Sequence, residues 1–462
     1  MSDATSLQQK YTDLLNLQKQ QQQAAVKALD LLQTLQENDV EVSFLGSTLD
    51  NKSVQQLIAM HEENQLDILK TVEALNALVE QQITAAKLDI ALLLKQGVDV
   101  AGLTGGNANQ SQDVVLYGFG RIGRILTRLL AAKAASDKGL QLKAIVVRPA
   151  KAGDLLKRAK LLMHDSVHGA FEGSVVLDEE NNGLIVNGRF IQVIYAKNPN
   201  EINYTSYGID NALIIDNTGI WTDEEALGQH LQSKGVSKVL LTAPAKGDIK
   251  NIVYNVNDDT IGDDVIVSAA SCTTNAITPT LKVLHDEYGV ETGHVETIHS
   301  YTNDQNLIDN YHKKDRRGRS AGLNMVITST GAAKAVGKAL PELNGKLTGN
   351  AIRVPTPNVS MAILNLNLKT APASADALNA FLQSVAESNK WQAQIDYVDS
   401  TEAVSTDFVG AQKVGIVDAQ ATIVTNNHAT VYIWYDNEVG YSTQVLRVAK
   451  QMAGINYVDL LA

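Results

Sequence analysis

Before about residue 110 the apolar positions recur almost only at helical spacing, and beyond it short apolar runs alternate with amphipathic stretches. In the first part, Leu14, Leu17, Ala25, Ala28, Leu32 and Leu35 fall on three- and four-residue steps and their multiples, as do Leu69, Val72, Leu75, Val79, Ala86, Ile90 and Leu93. That period belongs to a helix burying one stripe. Asp39 to Lys52, with Gly46 and Asn51, interrupts the two runs. The pattern predicts an all-α extension over 1–110, either an antiparallel hairpin or a short coiled coil, serving packing or assembly. Nothing in it carries chemistry. Gly102 to Ser111 reads as a flexible linker by composition.

Beyond the linker, Asp113–Tyr117, Leu140–Val147, Ala212–Ile215 and Lys238–Leu241 are apolar runs separated by helix-like segments. Such alternation predicts a parallel α/β sheet. After Cys272, runs such as His294–His299 and Ser360–Leu368 predict a second sheet, and Asn437–Met452 a helix near the end.

Composition narrows the function classes. With 462 residues, 44% apolar and 19% charged, the chain is ordinary globular material, long enough for about three domains. No run of about 18 apolar residues is present, and the start lacks a basic-then-apolar leader, so a soluble cytoplasmic protein is expected. Its single cysteine, Cys272, excludes an internal disulfide and fits a reducing compartment. One cysteine and scattered histidines provide no metal-ligand set. The net charge of −12 argues against nucleic acid as a partner, so any site for an anion must be basic against the global trend.

Gly118-Phe119-Gly120-Arg121-Ile122-Gly123 follows the strand-like Val114–Tyr117 and opens the helix-like Arg124–Ala135. That context makes it a dinucleotide fingerprint, in which the glycines admit a pyrophosphate and the helix start supplies N–H groups. The fold implied is a Rossmann-type domain. Arg148 ends the second strand, where a NAD-binding unit places an acidic residue on the ribose 2′-hydroxyl. A guanidinium pairs instead with a 2′-phosphate, so NADP is tolerated or preferred.

Ser271-Cys272-Thr273-Thr274-Asn275 follows the strand-like Asp264–Ser268 and opens Ala276–Tyr288. Cys272 is thereby placed at a helix N-terminus, which favours thiolate over thiol. A thiolate nucleophile needs a base. Nine histidines are present, and composition does not choose among them. His299, where a strand enters a polar loop, suits the role, and a structural histidine is the alternative.

From about residue 113 to 462 the chain resembles the glyceraldehyde-3-phosphate dehydrogenase family. The resemblance rests on Tyr117–Arg124, Asp165-Ser166-Val167-His168-Gly169, Ser271–Asn275, His299-Ser300-Tyr301-Thr302-Asn303-Asp304-Gln305, Ser329–Val336, Arg353–Asn358 and Trp434–Glu438, in that order. It implies a dinucleotide-binding domain over 111–271, an α+β catalytic domain with a mainly antiparallel sheet over 272–436, and a last stretch, 437–462, whose helix returns to the first domain. It further implies that Cys272 attacks an aldehyde, His299 acts as base and oxyanion partner, and inorganic phosphate cleaves the resulting thioester. Thr302, Asp304 and Arg353 match the site for the substrate phosphate. Ser271, Thr273, Thr330, Gly331 and Arg317 match the site for inorganic phosphate, with Arg353 between the two. Gly118, Gly120, Arg121, Ile122, Gly123, Thr218 and Gly219 match the cofactor-binding turns, and Asn437 the residue that orients the nicotinamide. Asn310-Tyr311 stands where NAD-specific relatives carry Leu-Pro, a second pointer to NADP, and Val439 replaces a usual tryptophan. The implied reaction is reversible phosphorylating oxidation of glyceraldehyde 3-phosphate by a homotetramer without nucleic-acid or membrane partners. Oxidation of erythrose 4-phosphate, or a non-catalytic regulatory role on the same scaffold, are the alternatives.

Overall fold

The computed structural model describes residues 2–49, 52–106, 111–132, 138–148, 153–455 and 457–461, with side chains from residue 8 onward. Of the expected linker at 102–111, residues 107–110 lie outside the described residues. The chain packs as two compact units. One combines 1–110 with 132–139 and 456–462, and the other combines 111–131 with 140–455. Of the last stretch, helix Val439–Met452 lies in the second of these units and Val458–Asp459 in the first.

Among the described residues the larger unit contains two large sheets and a two-stranded one, His164–Asp165 with Gly169–Ala170. The first has eight strands in the spatial order Ile266–Ser268, Val236–Leu241, Ala212–Asp216, Ser111–Tyr117, Gly139–Val147, Arg189–Tyr195, Gly183–Val186 and Val175–Asp178. Val114, Val115 and Leu116 are fully buried in succession, as in a strand covered on both faces. The chain starts at Ser111–Tyr117, runs outward to one side, and crosses back to Ala212–Asp216 on the other. That reversal opens a crevice at the carboxyl ends of these two strands, where open α/β sheets bind ligands.

The second sheet has seven strands in the order Val326–Ser329, Leu347–Val354, Val290–Ser300, Ser360–Leu368, His428–Tyr435, Gly415–Thr425 and Ile395–Val398. Four of its six pairings are antiparallel, and Val290–Ser300 with Leu347–Val354 and Ile395–Val398 with Gly415–Thr425 are parallel. Helix Cys272–Tyr288 buries Ala276, Ile277, Leu281 and Leu284 in one core with Leu364, Leu366, Val431 and Ile433 of this sheet. Helix Val439–Met452 packs against both Arg121–Ala131 and Cys272–Tyr288. It therefore ties the glycine loop to the start of the cysteine helix.

The smaller unit is not all-α. In helix Ser2–Glu37 the expected Ala25, Ala28, Leu32 and Leu35 are buried but Leu14 and Leu17 are exposed, and in Ile68–Glu80 Val72 and Leu75 are buried but Leu69 is exposed. Strands Val40–Phe44 and Ser47–Thr48 precede a further helix at Val54–Glu63, and strand Ala86–Asp89 precedes another at Ile90–Gln96. Val458–Asp459 adds the fourth strand, parallel to Ala86–Asp89. The segment expected to be a mere break holds Val40, Val42 and Phe44 buried at every second position. Their side chains meet Leu32, Leu35, Leu75, Leu78 and Leu88 in a separate core. Leu75 is fully buried there, so Leu75→Ala should lower unfolding stability by about 3 kcal/mol in a denaturant titration. A loss below about 1 kcal/mol would mean that this unit lacks a packed core of its own.

Candidate active site

The cysteine is presented by a helix start built to hold it. Ser271 is the N-cap, and its Oγ accepts the Thr274 N–H at 3.1 Å. The loop before it bends through Ala270 at φ 54°, a region that costs a non-glycine residue energy. Side-chain donors fix that bend. Asn275 Nδ2 donates to the Ala269 and Ser271 carbonyls at 2.8 and 2.9 Å, and the Tyr441 hydroxyl donates to the Ala270 carbonyl at 3.1 Å. Cys272 is then the first residue of the helix, half-buried, with the first-turn N–H groups beside it.

The second sheet supplies the partner. His299 lies near the end of Val290–Ser300, and its Nε2 stands 3.5 Å from Cys272 Sγ. Its Nδ1 is 2.7 Å from the Ser300 carbonyl and 3.1 Å from an Arg353 terminal nitrogen. Because a carbonyl only accepts, the shorter contact assigns the proton to Nδ1 and leaves the Nε2 lone pair toward the sulfur. Arg353, on the neighbouring parallel strand and directly opposite His299 in register, donates from one terminal nitrogen to the Ser300 carbonyl at 2.9 Å. The same nitrogen lies 3.4 Å from Thr302 Oγ1, while the buried Arg353 Nε has no partner among the described residues. Behind the pair, the Tyr435 hydroxyl bridges Thr273 Oγ1 at 3.0 Å and Thr297 Oγ1 at 2.7 Å, and its ring meets His299 edge-on. Tyr435 has no expected role in the sequence, although it sits in the quoted segment Trp434–Glu438.

Burial pushes the Cys272 thiol up, against the expectation of a thiol simply lowered by its helix, while Arg353 and hydrogen bonds from the first turn pull it down. Burial and Arg353 together hold His299 down, to about 3, so the imidazole is neutral near pH 7. Its lone pair is therefore free to take the thiol proton as the sulfur attacks.

The expected phosphate ligands divide. Cys272, His299, Arg353 and Thr302 are joined by the contacts above, and Thr273 joins them through Tyr435. Asp304 and Arg317 instead form an ion pair with each other, and Arg317 Nε also donates to Thr328 Oγ1 at 3.0 Å. A carboxylate cannot donate to a phosphate at neutral pH, and in this structure Asp304 is the ion-pair partner of Arg317. Thr330 and Gly331 lead into helix Ala332–Ala339, and Thr330 Oγ1 accepts the Ala332 N–H at 3.2 Å.

On the cofactor side, a Cβ at Gly123 would stand 2.6 Å from the Gly118 carbonyl oxygen, and Gly118 itself has φ 109°. A Cβ at Gly120 would meet nothing within 4 Å, which leaves the open approach a pyrophosphate needs. The glycine loop, Arg148 and Thr218 line one cleft. The Thr218 turn is held by Asp216, which accepts from Thr218 N and Oγ1 at 2.9 and 2.7 Å. Gly219 continues that turn with φ 67°. Asn437 accepts from Ser360 Oγ at 2.9 Å, and Ser360 Oγ accepts the Ser300 N–H at 3.1 Å, which ties it to the histidine strand. The Arg121 side chain is committed to Asp165 and Glu438, with His168 on the same Glu438, so only its backbone serves the glycine loop. Ile122 shares that helix start. Asn310 is bonded within its own loop, to Gly318, and does not line the cleft.

Comparison with known proteins decides which family uses this arrangement. Residues 112–224 match the model for the glyceraldehyde 3-phosphate dehydrogenase NAD-binding domain, and 271–437 the model for its C-terminal domain. A glyceraldehyde-3-phosphate dehydrogenase-like protein of Pseudomonas aeruginosa is 53% identical over 450 residues, covering 92% of this chain and 97% of that protein. The chain belongs to the glyceraldehyde-3-phosphate dehydrogenase family. The glyceraldehyde-3-phosphate dehydrogenase of Borreliella burgdorferi is 38% identical, covering 73% of this chain and 99% of its own length. The chloroplastic glyceraldehyde-3-phosphate dehydrogenase B of Pisum sativum is 41% identical, covering 74% of each. The match to the Pseudomonas protein covers much more of the chain, and so takes in most of the smaller unit. As a family member the chain is an NAD-dependent dehydrogenase with the expected dinucleotide-binding and catalytic folds.

Because Arg353 pulls the Cys272 thiol down, removing that cation must raise it and leave less thiolate at a given pH. Arg353→Leu should shift the iodoacetamide alkylation profile of Cys272 to higher pH, with a lower rate at pH 7 than the unsubstituted protein. A profile that stays in place or moves down would remove Arg353 from the thiol's electrostatics.

Proposed function

We propose that the protein catalyses the reversible phosphorylating oxidation of D-glyceraldehyde 3-phosphate to 1,3-bisphosphoglycerate, with NAD or NADP. The observation that carries this reading is the Cys272 Sγ to His299 Nε2 approach of 3.5 Å at a helix start, in a chain that also holds a glycine-loop cleft.

The steps follow from the geometry. As Cys272 Sγ bonds to the aldehyde carbon, its proton passes to His299 Nε2. The carbonyl electrons move to oxygen, where the resulting imidazolium and the Cys272 backbone N–H are placed to stabilise the oxyanion. A bound nicotinamide would accept the hydride from this hemithioacetal, leaving a thioester on Cys272. Inorganic phosphate then attacks the acyl carbon, the carbon–sulfur bond breaks, acyl phosphate leaves, and the departing thiolate takes back the proton held on His299 Nε2, restoring thiol and neutral imidazole. Two anion sites are needed. Arg353 and Thr302 serve the substrate phosphate, and Ser271, Thr273, Thr330 and Gly331 serve the attacking phosphate. Arg317 joins the latter by exchanging Asp304 for phosphate. Hydroxyls, backbone N–H groups and guanidinium groups bind phosphate without a metal.

The cofactor residues are Gly118, Gly120, Ile122, Gly123, Thr218, Gly219 and Asn437, with the Arg121 backbone. Arg148 favours a cofactor with a 2′-phosphate, because it has no acceptor for a ribose hydroxyl. The protein works in the cytoplasm as a homotetramer. Leu307, Ile308, Tyr311, Leu323 and Met325 are between 74% and 90% exposed on one loop region, an apolar surface that assembly would cover. No described helix is long and apolar enough to cross a membrane.

The test is steady-state turnover with each cofactor, with and without inorganic phosphate, on glyceraldehyde 3-phosphate and on erythrose 4-phosphate. The proposal expects sustained NAD(P)H formation only with phosphate, and a higher kcat/KM for the triose. Turnover independent of phosphate would assign a hydrolytic aldehyde dehydrogenase, and a preference for the tetrose would reassign the substrate.

A further inference from the structure

The dinucleotide cleft is lined by three cationic side chains, Arg148, Arg158 and Lys197, and by no carboxylate. In a chain of net charge −12 such a concentration runs against the composition. Arg148 accounts for one cation, and the fingerprint explains neither of the others.

Arg158 is the better placed of the two. It lies on helix Asp154–Met163, which follows the second strand of the fingerprint, and is largely buried with its side chain 21% exposed. Its Nε donates to Asp154 Oδ2 at 2.5 Å, one helical turn back. Asp154 is steadied in turn by the Tyr195 hydroxyl, which donates to the same oxygen at 3.2 Å. That anchoring uses only the inner edge of the guanidinium. Its two terminal nitrogens donate to no described residue, so the outer fork stays available where the side chain lines the cleft. A planar fork held from behind is pre-organised for two parallel hydrogen bonds to a phosphate. Arg148 is exposed and makes no hydrogen bond to the described residues.

We infer that Arg158 is a specificity-determining residue for the cofactor, the anchored member of a two-guanidinium clamp with Arg148 on the ribose 2′-phosphate. The inference rests on the NADP reading proposed above and goes further by naming a residue outside the fingerprint. Asp154 is a positioning residue, because it holds Arg158 directly, and Tyr195 supports it through Asp154.

The experiment is isothermal titration of the full-length protein with 2′,5′-ADP and with 5′-AMP, which differ by the 2′-phosphate alone. The wild type should bind 2′,5′-ADP more tightly. Arg158→Leu should lose about tenfold or more in affinity for 2′,5′-ADP and less than about threefold for 5′-AMP, the scale of one charge-assisted contact. Arg158→Lys keeps the charge but not the fork and should fall between them, which separates recognition from a folding defect. Equal wild-type binding of the two nucleotides would overturn the NADP reading itself. A wild type that prefers 2′,5′-ADP, with that preference intact in Arg158→Leu, would overturn the role of Arg158 and leave Arg148 acting alone.

Discussion

The site depends on one approach, that of a helix-start sulfur to an imidazole nitrogen 3.5 Å away on a different element. Neither side chain could hold the other. Cys272 is placed by the N-cap and by the donors that fix the bend before it, and His299 by its strand and the Ser300 carbonyl. Tyr435 couples the two, because one hydroxyl bonds a threonine of the helix and a threonine of the histidine strand. Shared burial between helix Cys272–Tyr288 and the second sheet makes the distance a property of the core and not of a flexible loop.

Electrostatics at this point is a balance. Burial destabilises the thiolate and the imidazolium, whereas Arg353 favours the first and opposes the second. The consequence is an imidazole that is neutral before reaction and can accept a proton during it. Arg353 therefore acts on both members of the pair, and it faces His299 in register across a parallel strand pair.

What was legible in the sequence was local. Glycine spacing after a strand, a polar run opening a helix around Cys272, and a histidine at a strand end need only neighbouring residues to be read. What was hidden depended on pairing across distance. The bridge from Tyr435 to Thr273 spans 162 positions, and the Asp304–Arg317 ion pair joins residues thirteen positions apart. The extension misled for a related reason. Its helical stripes were clear, but Val40–Phe44 is only five residues long, and the sheet it joins is completed by Val458–Asp459 from the far end of the chain. Short strands carry too few alternations to outweigh two long helical runs.

The central claim is that Cys272 carries the acyl group while His299 moves the proton. It is tested most directly by mixing the protein with excess NAD(P) and glyceraldehyde 3-phosphate in the absence of inorganic phosphate. The fast phase of NAD(P)H formation and the mass of the Cys272 peptide are then followed together. The account predicts a burst of about one NAD(P)H per subunit with an acyl adduct on Cys272, and a burst slowed about a hundredfold or more in His299→Asn. A full-sized burst with Cys272 unmodified, or an equally fast burst in His299→Asn, would contradict it.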